Sequence, residues 1–82
     1  MSLEAMLDKM SAYNRALETH GYVRNGAGVK PWSIRWTLGT SHMDIRNSEW
    51  TAYSGDEVVA CDQGPGLLNM YLCGDYEQGA SI

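Results

Sequence analysis

The sequence predicts an α+β domain: an N-terminal amphipathic helix, a three- to four-stranded antiparallel sheet and a short C-terminal helix. The order is α-β-β-β(-β)-α, with both helices on one sheet face. Three observations carry this. Apolar residues recur every three or four positions over the first 20 residues, the spacing of one helical face. From Trp32 the apolar period drops to two, the spacing of a half-buried strand. Finally, Gln63-Gly64-Pro65-Gly66 breaks the chain ahead of a short apolar run that stops at Gly74. At 82 residues the chain has room for one core, so residues 1–82 are read as a single small domain.

In the first helix, from about Leu3 to His20, the apolar stripe is Leu3, Met6, Leu7, Met10, Tyr13 and Leu17. Glu4, Asp8, Ser11, Arg15 and Glu18 fall on the opposite side. Ser2 is placed to cap the start, Glu4 and Asp8 suit the positive end of the helix dipole, and Gly21 supplies a left-handed stop. The glycine-rich stretch Gly21–Pro31 reads as a flexible connector. Its Gly21-to-Gly26 spacing echoes a phosphate-binding loop, but Ala27 stands where lysine is required and a helix precedes it in place of a strand.

Trp32, Ile34, Trp36 and Leu38 then alternate with Ser33, Arg35 and Thr37, which places both tryptophans on the core face. Gly39-Thr40-Ser41 turns the chain into a second alternating run, His42–Arg46. Asn47-Ser48 leads into Glu49–Ser54, and Gly55-Asp56 forms a two-residue hairpin turn into Glu57–Asp62. Counting from that turn pairs Tyr53 with Val58, Ala52 with Val59, Trp50 with Cys61 and Glu49 with Asp62. Cys61 would then point inward. The Glu49–Asp62 pairing sets like charges opposite each other, which costs stability unless the register slips, the sheet end frays or a partner uses the acids. Leu67–Cys73 reads as a helix of about two turns with Leu68, Tyr71 and Leu72 inward, a final buried strand being the alternative. Residues 75–82 carry no pattern and are expected to fray.

Composition narrows the function classes. An apolar fraction of 44% with three Trp and five Tyr suits a folded chain, yet so small a domain leaves little room for an enzyme pocket. No apolar run is long enough to span a bilayer, and the acidic start MSLEAMLDKM does not match a secretory signal, so a cytoplasmic protein is expected. Cys61 and Cys73 are read as free thiols. Neither lies in a CxxC pair, and His20 and His42 are each isolated, so no metal site and no cofactor is expected. Around no serine is there a nucleophile-elbow pattern, and His42 beside Asp44 on one strand face reads as a surface polar pair. The chain is therefore read as non-enzymatic.

Charge is divided between the halves. Residues 1–42 carry net +2, whereas residues 43–82 carry net −6, with Arg46 the last base in the chain. Such asymmetry marks a pole that faces a partner, or a solvated region kept acidic for solubility. The element order is similar to that of the double-stranded RNA-binding domain. That domain needs bases at the start of its last helix, and here the segment reads Gly64-Pro65-Gly66-Leu67-Leu68. Arg24, Lys30 and Arg35 interleave with Tyr22, Trp32 and Trp36 in a composition that could stack bases, but the alternation assigns both tryptophans to the core and the net charge is −4.

The function expected is a small acidic protein-binding inhibitor that occludes a basic nucleic-acid-binding surface of a larger protein or ribonucleoprotein. In size and charge the chain is similar to the anti-CRISPR class of phage and mobile-element inhibitors, a similarity of general character. The contact residues expected are Glu49, Tyr53, Asp56, Glu57 and Asp62, on the open sheet face and the hairpin tip, with Tyr53 as anchor. The alternatives are a self-associating structural protein, in which a homodimer forms through the open face or an edge strand, and a small nucleic-acid-binding domain.

Overall fold

In the computed structural model, which describes residues 3–76 apart from the side chains of residues 3–7, every alternating segment is a strand. The elements are α1 (Leu3–Thr19), β1 (Val23–Ala27), β2 (Ile34–Leu38), β3 (Ser41–Arg46), β4 (Glu49–Ser54), β5 (Glu57–Gln63) and α2 (Pro65–Leu72). The strands form one antiparallel meander in the order β1-β2-β3-β4-β5. The sheet thus has one strand more than the alternation marks. The addition, β1, lies in the stretch expected to be a flexible connector. All five of its residues are exposed and it pairs by backbone with β2, so it has no buried face to impose a period of two.

Tyr13 and Leu17 of α1 and Leu68 of α2 pack on Trp36, Met43, Ile45, Trp50, Ala52 and Ala60, so both helices cover the same sheet face. The run after Pro65 is the helix, with Leu68 fully buried and Tyr71 and Leu72 half-buried against the core. Asp75 and Tyr76 belong to the tail expected to fray, but Tyr76 packs edge-on against Trp50 with ring centroids 5.5 Å apart. Residues 77–82 of that tail lie outside the described residues.

A bulge in β5 corrects the counted register. Tyr53 faces Val58 as counted, but Ala52 then faces Ala60, so Val59 is the extra residue. Downstream of it every side chain changes face. Ala60 enters the core, Cys61 turns out opposite Thr51, and Asp62 pairs with Trp50 on the helix side. Glu49 meets Gln63, and the like-charge pair does not form.

Tyr13 ties three elements together. Its hydroxyl donates to the Ser48 carbonyl at 2.6 Å and accepts from the Gly64 N–H at 3.1 Å, joining α1 to the β3–β4 turn and to the start of α2. Tyr13→Phe is expected to cost about 1–2 kcal/mol in a urea titration. Burial raises the Tyr13 pKa above its ordinary value, the Gly64 N–H opposing and Glu49 assisting. Burial likewise raises Tyr22, assisted by Tyr71, and Tyr53, assisted by Asp44. A phenol whose folded pKa is raised holds its proton more tightly in the native state. Its stabilisation is intact below the unfolded value of about 10 and is lost as pH rises through the folded value. Stability should therefore fall in the alkaline range, less steeply in Tyr13→Phe. An identical alkaline slope in the two proteins would contradict this.

Candidate protein-binding surface

The face away from the helices is built by cross-strand rows. Thr37, His42, Tyr53 and Val58 form one row, Arg35, Asp44, Thr51 and Cys61 the next, and Arg46, Glu49 and Gln63 the third. An ion pair sits at its centre. Arg35 Nε lies 2.7 Å from Asp44 Oδ1 and Nη2 3.2 Å from Oδ2, the Asp44 side chain being 6% exposed. That hydrogen bond raises the Arg35 pKa against the opposing effect of burial, so the guanidinium stays charged. It also lies 5.1 Å from the Tyr53 ring centroid, a cation–π contact.

This pair displaces two expectations. The Asp44 carboxylate is committed to Arg35 and to the Val29 N–H at 2.9 Å, while His42 Nδ1 meets Thr37 Oγ1 at 3.0 Å, so no His42–Asp44 pair forms. Tyr53 does face outward, but it is only 8% exposed, so it forms the floor of the surface and is not a projecting anchor.

A shallow groove of about 390 Å³ runs over this floor, with Glu49, Thr51, Tyr53, Val58, Cys61 and Lys30 in its lining. At the hairpin tip Asp56 and Glu57 are exposed, and the Gly55 N–H is held by the Thr40 carbonyl at 2.8 Å. Asp62 departs from the expected site. The bulge carries its carboxylate to the helix side, where it accepts from the Tyr76 hydroxyl at 3.0 Å and the Gln63 N–H at 2.8 Å. The expected acids therefore separate into Glu49 on the groove, Asp56 and Glu57 at the tip, and Asp62, which borders the groove but turns its carboxylate to the helix side.

Trp32 is the residue that sequence periodicity misplaced. It stands in the loop between β1 and β2, 94% exposed, with a left-handed backbone at φ 66°. A bulky residue in that region is strained by about 1–2 kcal/mol, and such strain clusters at functional sites. The loop around it is tightly fixed. The Val29 N–H is bound by Asp44, the Gly28 N–H by the Ser33 carbonyl at 3.1 Å, and the buried Ser33 hydroxyl donates to the Lys30 carbonyl at 2.6 Å. A Cβ on Gly28 would stand about 2.5 Å from the Asp44 carboxylate, so only glycine permits this closure. Beside the indole lies an apolar cleft of about 220 Å³ lined by Met10, Ile34, Trp36 and Ile45, with Asn14 and Asn47. The signal in the sequence was Pro31: a turn residue immediately before Trp32 puts the start of the strand later, at Ile34.

Among the described residues no three His, Cys, Asp or Glu side chains converge as a metal site requires, and no helix is long and apolar enough to cross a membrane. No family model matches the chain, and neither the curated proteins nor the solved structures contain a significant match.

Proposed function

We propose that this protein is a small non-enzymatic binding protein that docks on a larger protein or ribonucleoprotein and occludes a basic, nucleic-acid-handling surface, as anti-CRISPR-like inhibitors do. The observation that carries the reading is Trp32. An indole 94% exposed contributes almost nothing to the fold, and its backbone is strained, so its position is accounted for by what it meets outside the chain. The loop's internal hydrogen bonds hold it ready, which lowers the ordering cost of binding. The charge of residues 43–82 supports a basic partner, because Asp56 and Glu57 at the tip and Glu49 on the groove would meet bases.

Pairing of sheet edges between copies is disfavoured by the edges themselves. β1 is five residues long with an irregular register, and β5 carries a bulge together with Glu57 and Asp62.

The test is a charge reversal. After capture of the partner from nuclease-treated lysate of the source cells, Glu49→Lys, Asp56→Lys and Glu57→Lys combined should weaken binding roughly tenfold or more, chiefly by slowing association. The variant should also release the partner's nucleic-acid binding. A folded triple variant that still blocks nucleic acid as the wild type does would overturn the electrostatic part of the reading.

A further inference from the structure

The two free cysteines sit in different chemical settings. Cys61 lies exposed on the groove face, opposite Thr51. Cys73 lies exposed at the C-terminal cap of α2, and its Sγ is 3.9 Å from His20 Nε2. The two helices run side by side in one direction, since Tyr13 in the second half of α1 contacts Gly64 at the start of α2, and His20 meets Cys73 at the ends of both. In sequence the pair is 53 positions apart, which is why local patterning gives His20 no partner.

The imidazole is oriented from behind. His20 Nδ1 is 2.9 Å from the Ala16 carbonyl. A carbonyl oxygen only accepts, so Nδ1 carries the proton and the lone pair of neutral Nε2 faces the thiol. Two helix ends meet here, and neither has a basic residue in its last turn.

We propose that Cys73 is a base-assisted nucleophilic thiol that exchanges with low-molecular-weight disulfides of the glutathione class. His20 Nε2 takes the Sγ proton, and Sγ attacks one sulfur of the disulfide. A new S–S bond forms, the original S–S bond breaks, and the released thiolate takes the proton from the imidazolium. Cys73 is oxidised to a mixed disulfide and one thiol of the reagent is formed. The site lies at the helix ends, away from the groove and Trp32, and does not rest on the binding function.

Oxidised glutathione on the full chain is the test, read by peptide mass spectrometry, with Cys61 as the internal reference. Cys73 should react about tenfold or more faster than Cys61, and His20→Gln should bring it close to the Cys61 rate while leaving Cys61 unchanged. Iodoacetamide should give the same ranking. Should His20→Gln disturb the fold, as circular dichroism would show, Cys73 in wild type against its urea-unfolded form then decides: the native thiol is expected to be the faster. Equal rates at the two native cysteines, or a Cys73 rate untouched in folded His20→Gln, would overturn the proposal.

Discussion

Trp32→Gly should fold with a thermal midpoint equal to the wild type or up to about 5 °C higher, yet bind its partner about 30- to 1,000-fold more weakly. The two halves of this expectation have one cause. Trp32 holds a left-handed backbone at φ 66° that glycine adopts freely, and its side chain is 94% exposed. Relief of strain worth about 1–2 kcal/mol is set against the greater unfolded-state freedom of glycine, about 0.5–1 kcal/mol. The fold therefore gains or breaks even. Binding loses an aromatic anchor of the kind that dominates interfaces. A variant that is markedly less stable would mean that the indole packs on its own chain, and the assignment of Trp32 to a partner would fail.

Trp50→Ala should have the opposite signature, a loss of about 3–5 kcal/mol. A chain of this size is expected to have about 4–12 kcal/mol in total, so the loss removes a quarter or more of it and leaves a large unfolded fraction at the lower end of that range. Trp50 is 1% exposed and holds the second helix and the chain after it through Tyr71, at 5.3 Å between centroids, and Tyr76. Trp50→Phe is a sharper probe. The indole Nε1 is buried without a hydrogen-bond partner among the described residues. Deleting it removes a desolvation penalty of about 1–3 kcal/mol that offsets part of the lost volume. Phenylalanine should consequently cost less than about 1.5 kcal/mol in the same urea titration. A loss for Phe as large as that for Ala would contradict this offset.

How much of this was legible in the sequence depended on burial. α1 and the strands from Ile34 onward bury one face each, so their apolar residues repeat with the period of the backbone, and their boundaries fall within one or two residues of those expected. β1 buries nothing and left no period. Trp32 has the right parity for the core face of β2, but parity is meaningless once Pro31 and the loop closed on Asp44 delay the strand. The bulge at Val59 was signalled only indirectly, by the Glu49–Asp62 conflict that a regular register creates; inserting one residue removes it and exchanges the faces of Cys61 and Asp62. The exposure of Asp56 and Glu57 was legible because a two-residue turn and the residue that follows it are exposed whatever the register. Asp62 and the depth of Tyr53 depended on the bulge and on Arg35, neither of which local patterning encodes.

A partner held through Trp32 is tested most directly by a paired capture from nuclease-treated lysate with wild type and Trp32→Gly as baits, followed by sedimentation of the eluates. The wild type should retain a stoichiometric basic protein or ribonucleoprotein that Trp32→Gly, equally folded, does not. Retention of the same partner by both baits, or recovery of the bait alone as an oligomer, would contradict it.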